Sequence, residues 1–183
     1  MTSFLTSADV GLLHWLYSMR SLEGVYAFLA VSELGTIWTL AGLTICSFLL
    51  LLYFRRIAYA AGLLASSSLA GLTVLLLKPH IGLARPDGYY QAYLESGMSF
   101  PSGHATGSTA FYGFLAYIAL REMRTDRGRI VAGLLFLLIF LICLSRLYLG
   151  VHYLSDVLAG IALGALCDFV GIAVMHITTR YWR

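Results

Sequence analysis

The strongest constraint on this chain is a series of long apolar runs with few or no charged residues. Five such runs span residues 34–54, 57–77, 103–120, 130–145 and 153–177. About 20 apolar residues are needed to cross a hydrocarbon core roughly 30 Å thick. Backbone groups in lipid must also be hydrogen-bonded within the segment, which requires helices. We therefore predict an all-α integral membrane bundle, with five transmembrane helices in one domain over residues 1–183.

Composition excludes a water-soluble globular protein. Hydrophobic residues make up 60% of the chain and charged residues only 11%, whereas soluble proteins average about 25% charged. The net charge of +3 is too small to indicate nucleic-acid binding, and no obligate protein partner is indicated. The three cysteines lie inside apolar runs, so we expect core positions and no disulfide framework.

The first part of the chain differs from the five spans. Its apolar residues between positions 8 and 33 share a helical face, but Arg20, Glu23 and Glu33 interrupt any long uncharged run. We predict an amphipathic helix at the membrane interface, with a tilted sixth span as the alternative. The first ten residues carry no basic segment, so a cleavable secretion signal is not expected.

Basic residues are unevenly divided between the two sides that five spans define. Eight of the twelve fall on one side: Arg55, Arg56, Arg121, Arg124, Arg127, Arg129, Arg180 and Arg183. An excess of Lys and Arg marks cytoplasmic loops. The opposite side, which carries Arg20, Lys78, Arg85 and Arg146, is therefore predicted to be extracytoplasmic.

Three polar clusters fall on the side that is poor in basic residues: residues 78–86 (KPHIGLARP), 100–104 (FPSGH) and 145–156 (SRLYLGVHYLSD). Lys78, Arg85 and Arg146 lie at the ends of apolar spans, where each alone could extend to the lipid headgroups. Three together indicate a shared anion. Ser102 and Gly103 begin a predicted span, so its free N–H groups could also face this anion, although an ordinary capped helix start is the alternative.

Two histidines on the same side could perform catalysis. His152 and Asp156 are four residues apart, which predicts one face of one helix, and the carboxylate could fix the tautomer of a nucleophilic imidazole. A structural His–Asp pair is the alternative. His104 could protonate a leaving oxygen, whereas His80 fits no vacant role and is expected to contact the loop or headgroups. Among three cations a phosphate is favoured over zinc, so no metal is predicted.

The three clusters together resemble the type 2 phosphatidic acid phosphatase (PAP2) superfamily, which includes membrane lipid phosphatases, glucose-6-phosphatases and vanadium haloperoxidases. Its three motifs match Lys78, Arg85 and Pro86; Pro101 to His104; and Ser145, Arg146, His152 and Asp156. The resemblance implies that His152 forms a phosphohistidine, Asp156 orients it, and His104 acts as acid and then base. It also implies that Lys78, Arg85, Ser102, Gly103 and Arg146 hold the phosphoryl oxygens without any metal or cofactor.

The resemblance implies a bacterial-type lipid phosphatase of the cytoplasmic membrane, and the distribution of basic residues predicts that its site lies on the extracytoplasmic face. Candidate substrates are undecaprenyl diphosphate, phosphatidylglycerophosphate and phosphatidic acid, with the lipid A phosphates as the alternative within the family. A non-catalytic anion or lipid transporter is the alternative from another class, and the buried acid Asp168 favours it slightly. We expect Asp168 instead to hydrogen-bond to a neighbouring helix. Aromatic residues of the loop before Pro101 are expected to anchor at the interface: Tyr89, Tyr90, Tyr93 and Phe100.

Overall fold

A computed structural model describes residues 7–123 and 126–181. Within these ranges the chain forms seven helices and no strand: α1 Ser7–Ser18, α2 Leu22–Glu33, α3 Ile37–Tyr53, α4 Ile57–Ile81, α5 Gly103–Glu122, α6 Asp126–Tyr148 and α7 Leu154–Tyr181. The all-α prediction is confirmed. Arg124 and Arg183, two of the eight arginines assigned to the cytoplasmic side, lie outside the described residues.

The five predicted spans correspond to α3 through α7, but the helices differ in how apolar they are. Among the described residues, α4, α6 and α7 are each long and apolar enough to cross a membrane. A fourth crossing is possible if α2 and α3, which meet at a bend of 40°, form one broken span. Helix α5 is not in this set because histidine, serine and threonine residues in its first half lower its mean hydropathy. It packs against α4, α6 and α7, and many of its residues are buried.

The N-terminal segment forms two short helices and not the single helix that we predicted. Ser21 interrupts it, because its side chain accepts a hydrogen bond from the backbone N–H of Gly24 and so caps the start of α2. Both helices pack against α6. Arg20, between them, donates to the carbonyl of Tyr148 at 2.7 Å and thereby ties the segment to the end of α6.

Glycines of α7 form a contact face, as their spacing predicts. A Cβ added at Gly160 would lie 2.8 Å from the Cβ of Ala105, and one at Gly164 would lie 2.6 Å from the carbonyl oxygen of Thr106, both on α5. At Gly171 the added atom would meet α4, 2.6 Å from the carbonyl oxygen of Gly62. Helix α7 therefore packs closely against α5 near one end and against α4 near the other.

Two further expectations concern residues inside the spans. Asp168 accepts a hydrogen bond from the hydroxyl of Ser66 on α4 at 2.7 Å, which confirms the expected interhelical contact. The prediction that all three cysteines are core residues is wrong for Cys46, which is exposed while Cys143 and Cys167 are buried. The reason is that α3 packs only against one side of the bundle, through α4 and α5, and Cys46 lies on its other side.

The two ends of the bundle differ in chemistry. At one end, Glu122 forms an ion pair with Arg56 at 2.9 Å and accepts a hydrogen bond from Tyr59 at 2.6 Å. At the other end, the last residues of α4 and α6 meet the first residues of α5 and α7. The three polar clusters all lie at this second end.

Candidate active site

A loop between α4 and α5 closes the polar end of the bundle. Gly82 caps the C-terminus of helix α4; its positive φ of 63° suits glycine, and its N–H donates to the carbonyl of Lys78 at 3.1 Å. The loop then crosses to α7, where Ser99 Oγ donates to Asp156 Oδ2 at 2.5 Å. This path brings the residues of the first two clusters onto those of the third.

His152 is held by a partner at each ring nitrogen. Its Nδ1 lies 3.3 Å from Asp156 Oδ2, and its Nε2 lies 3.0 Å from Arg85 Nη1. A guanidinium can only donate, so Nε2 must be the acceptor and Nδ1 carries the proton. The arrangement therefore selects the tautomer in which the lone pair of Nε2 is available to a reacting atom once Arg85 moves aside.

Asp156 meets His152 in a different way from the one that we predicted. Helix α7 begins at Leu154, so His152 precedes the helix and the two residues do not share a helical face. Asp156 is the third helical residue, and its Oδ2 accepts the N–H of Tyr153 at 2.8 Å, as an acidic residue does in a capping box. The same oxygen is thus aimed back at the imidazole.

The cap of α7 is completed from the N-terminal segment. Asp9 on α1 is buried, and its Oδ1 accepts the N–H of Ser155 at 2.8 Å. Two carboxylates therefore satisfy N–H groups in the first turn of the helix that carries Asp156, where negative charge is favoured. The N-terminal segment supports the site, a role that its sequence did not indicate.

Burial keeps His152 neutral. It lowers the pKa of His152 to about 4; the hydrogen bond to Asp156 acts in the opposite direction, and the charges of Arg85 and Arg146 add to the lowering. Its relative exposure is only 2%. At neutral pH the imidazole is unprotonated, which is the form that a nucleophile requires.

Arg85 and Arg146 share one carboxylate. Arg85 Nη2 lies 3.1 Å from Glu95 Oε1, and Arg146 Nη2 forms an ion pair with Glu95 Oε2. Arg146 also donates to Ser32 at 2.6 Å and to Tyr93 at 2.9 Å, while its Nε is buried without an acceptor among the described residues. Burial opposes the charged form of Glu95, but Arg146 and Arg85 outweigh it and hold the pKa of Glu95 below its usual value.

A cavity of about 580 Å³ opens beside these groups. Its polar end is lined by Lys78, Glu95, Gly103, His104 and His152. Its walls continue between α3, α4 and α5 and are largely apolar, with Leu40, Ile45, Leu64, Gly71, Gly107 and Phe111 among the lining residues. The cavity thus joins two imidazoles and an ammonium group to an apolar groove.

The remaining predicted site residues have different positions. Lys78 Nζ donates to the carbonyl of Met98 at 2.8 Å, and the side chain lines the cavity. Ser102 is fully buried and its hydroxyl caps α5 by accepting the N–H of Ala105 at 3.5 Å. His80 is exposed in the last turn of α4, with its Nδ1 2.7 Å from the carbonyl oxygen of Leu76. It is not among the described residues that line the cavity.

A sequence model of the PAP2 superfamily matches residues 59–180, which include all three clusters. The chain belongs to the PAP2 superfamily. The match covers α4 through most of α7 and leaves α1 to α3 outside it.

Individual PAP2 relatives match shorter stretches. The chain is 36% identical over 100 residues to phosphatidylglycerophosphatase B of Bacillus subtilis, which is 52% of this chain and 47% of that protein. It is 36% identical over 105 residues to a lipid A 1-phosphatase of Rhizobium johnstonii, covering 52% of this chain and 39% of that protein. The matched part spans less than half the length of either relative.

A solved PAP2 structure resembles the whole fold. The transmembrane PAP2 type phosphatidylglycerolphosphate phosphatase from Bacillus subtilis superposes with a TM-score of 0.83 at 27% identity. The superposition covers 91% of this chain and 84% of that one. The similarity therefore extends beyond residues 59–180, the part of the chain that the family model matches.

Several residues of this PAP2 site were missed by the sequence analysis. Glu95, Ser99 and Ser32 contact the predicted residues, and Tyr93 belongs to the site where we expected an interfacial anchor. Tyr89 is 70% exposed, and its anchoring at the interface stays a prediction. Position relative to the motifs could have indicated Ser99, because it lies just before the predicted start of α5. Ser32 gave no such signal, since it sits in a separate helix.

Proposed function

We propose that this chain is a metal-independent phosphatase that removes phosphate from a membrane lipid through a phosphohistidine at His152. The observation that carries the proposal is the cavity, in which His104, His152 and Lys78 stand at the mouth of an apolar groove. From Lys78 to Leu64 the groove follows α4 for about 20 Å, at 1.5 Å per residue. A lipid can therefore place its phosphate at the imidazoles while part of its tail remains between helices.

The groups present suffice for a two-step displacement. Nε2 of His152 attacks phosphorus, the bond from phosphorus to the leaving oxygen breaks, and His104 gives that oxygen a proton. His104 then takes a proton from water, the resulting hydroxide attacks phosphorus, and the P–N bond breaks to release phosphate and free His152. Lys78, Arg85, Arg146 and Ser102, together with the backbone N–H of Gly103, are proposed to stabilise the charge on the phosphoryl oxygens.

The substrate is proposed to reach the site from the extracytoplasmic leaflet. The arginine-rich loops lie at the end of the bundle opposite the site. Because such loops mark the cytoplasmic side, their position supports this orientation. An outward-facing site favours undecaprenyl diphosphate or phosphatidylglycerophosphate. A lipid A phosphate is the second candidate, favoured by the match to a lipid A 1-phosphatase.

Hydrolysis by purified protein tests the proposal. The full chain in detergent should release inorganic phosphate from at least one of undecaprenyl diphosphate, phosphatidylglycerophosphate, phosphatidic acid and lipid A, with EDTA present. His152→Ala should abolish this release, whereas His80→Ala, which changes a histidine outside the cavity, should leave it intact. Activity that survives His152→Ala would refute the assigned mechanism.

A transporter that merely binds lipid phosphate would give a different result. It needs the cations but not the imidazoles, so it would form no covalent intermediate. Acid-labile, base-stable labelling of His152 by a phosphorus-labelled lipid would support the phosphatase. Substrate binding without label or phosphate release would support the transporter.

A further inference from the structure

The cavity does not reach the two arginines that the proposed function assigns to phosphate. Among the described residues, Glu95 lines its polar end but neither Arg85 nor Arg146 does. The side chains of Arg85 and Arg146 are only 6% and 1% exposed, whereas that of Glu95 is 23% exposed. The carboxylate therefore stands between the cavity and the guanidinium groups.

Glu95 makes with these arginines the contacts that a phosphate would make. One carboxylate oxygen faces Arg85 Nη2 at 3.1 Å and the other is bound by Arg146 Nη2. Tyr93 holds the second oxygen as well, donating at 2.9 Å. A planar carboxylate that accepts from two guanidinium groups is the same kind of ligand as two oxygens of a phosphate.

The terminal nitrogens of Arg146 are occupied, and only its buried Nε lacks an acceptor among the described residues. Its Nη1 is already bound by Ser32 and Tyr93, and Nη2 is bound by Glu95. A phosphate dianion added beside Glu95 would also place like charges on the same two cations, which disfavours both. Phosphate and Glu95 therefore compete for one position.

We propose that Glu95 is an internal competitor that occupies the phosphate position in the free protein and must leave Arg85 and Arg146 when a phosphate group binds. The inference rests on the proposed function for the location of the anion site. Displacement of Glu95 also lets Arg85 move away from Nε2 of His152, the atom proposed to attack phosphorus, to which Arg85 donates in the free protein. Substrate binding thus exposes the nucleophile, and Glu95 excludes weakly bound anions from it.

Binding of inorganic phosphate and orthovanadate tests this inference without any turnover. Dissociation constants are measured from ligand-dependent thermal stabilisation of the full chain in detergent, since a ligand that binds the folded state raises its midpoint. Glu95→Gln keeps the side-chain size but weakens its binding to both arginines. Glu23→Gln is the control, because it changes the net charge equally at an exposed position of α2.

We expect Glu95→Gln to bind orthovanadate about tenfold more tightly, the change that follows from losing one charged hydrogen bond in the competing state. Glu23→Gln should match the wild type. Equal or weaker binding by Glu95→Gln would overturn the inference, because Glu95 would then organise the arginines for phosphate. Absence of binding by any of the three proteins would overturn the anion site itself.

A structure of the wild-type protein with vanadate provides a test that does not depend on a variant. The Glu95 carboxylate should lie away from both Arg85 and Arg146 when vanadate is bound. Vanadate bound while Glu95 still bridges the two arginines would overturn the inference. Failure of lipid hydrolysis alone would refute the proposed function and leave these binding results interpretable.

Discussion

At the scale of single residues, His152 illustrates how a few contacts set the chemistry of a side chain. Asp156 faces Nδ1 and a guanidinium donates to Nε2, so the tautomer is fixed from both sides. Burial has the larger effect on ionisation and lowers the pKa of this residue to about 4. The imidazole is therefore poised as a base over a wide pH range, including pH values at which an exposed histidine would be protonated.

The pH dependence of hydrolysis should report this environment. Protonated His152 cannot attack phosphorus, so kcat/KM should fall as the pH drops through about 4, and not near 6.5 as for an unperturbed histidine. Asp156 favours the protonated imidazole, so Asp156→Asn should move this acidic limb to still lower pH while reducing kcat. Asp87→Asn, at an exposed loop position, should leave the limb in place. An acidic limb near 6.5 in the wild type would contradict the assignment.

The sequence predicted the cations and imidazoles of the site but not what they contact. Lys78, Arg85 and Arg146 were recognisable because a charge at the end of an apolar span is conspicuous. Glu95 was not, since an acid in a polar loop between spans is ordinary. Its contact with Arg146 depends on how the loop folds back over the bundle, and local sequence does not determine that path.

At the scale of helices, close packing of α7 on α5 sets the distance between the two imidazole-bearing segments. Gly164 faces Thr106, two residues after His104, and an added Cβ would lie 2.6 Å from the Thr106 carbonyl oxygen. Backbone atoms at this distance cannot be relieved by a rotamer change. One helix must move away from the other.

Gly164→Ala should therefore reduce both stability and activity. Overpacking of this kind typically costs about 1–3 kcal/mol, and separation of α5 from α7 should move His104 away from His152, the proposed nucleophile. Thermal midpoints and kcat in detergent measure the two effects. Gly133→Ala is the matched control, because that α6 glycine has no neighbouring atom within 4 Å of an added Cβ. Equal stability of both variants would contradict this account of the interface.

The groove between α3, α4 and α5 allows a test of where the lipid tail binds. Gly71 lines it, yet an added Cβ there would meet no atom within 4 Å, so Gly71→Leu should fill the groove without straining the bundle. We expect KM for a long-tailed substrate to rise about tenfold or more, the effect of losing about 1.4 kcal/mol of tail binding. Hydrolysis of a short-chain analogue should change little.

Gly133→Leu provides the control for Gly71→Leu, since it adds the same side chain at an open position of α6 outside the groove. It should leave KM unchanged for both substrates. If Gly71→Leu affected long and short tails equally, or not at all, the tail would have to bind elsewhere.

Helix positions were easier to predict than helix boundaries or helix environments. The glycine spacing of α7 and the charge-free run of α5 identified both elements, because close helix contacts and membrane crossing each leave a local pattern. The break at Ser21 was missed, since a capping serine inside an apolar pattern is a weak signal beside the interrupting charges. The buried setting of α5 depends on its three neighbours and is not encoded within the helix itself.

At the scale of the whole molecule, the two ends of the bundle are chemically distinct. The site end carries two buried arginines that are paired with Glu95 and a buried His152–Asp156 pair, and exposed aromatics such as Tyr89 lie around it. The opposite end carries exposed arginines, including Arg55, Arg56 and Arg129. The buried arginines at the site end are paired with a carboxylate, whereas the arginines at the opposite end are exposed. Only the exposed arginines are therefore expected to determine the orientation of the protein in the membrane.

Labelling of single cysteines in intact bacterial cells can determine that orientation. Ser96 is exposed in the loop at the site end, and Asp126 is exposed at the start of α6 at the other end. Cys46 must first be replaced by serine because it is exposed, whereas Cys143 and Cys167 are buried and should stay silent. With the site extracytoplasmic, Ser96→Cys should react with a membrane-impermeant maleimide in intact cells, and Asp126→Cys only after permeabilisation. The reverse pattern would place the site in the cytoplasm, and the proposed substrate would then have to be a lipid phosphate of the inner leaflet.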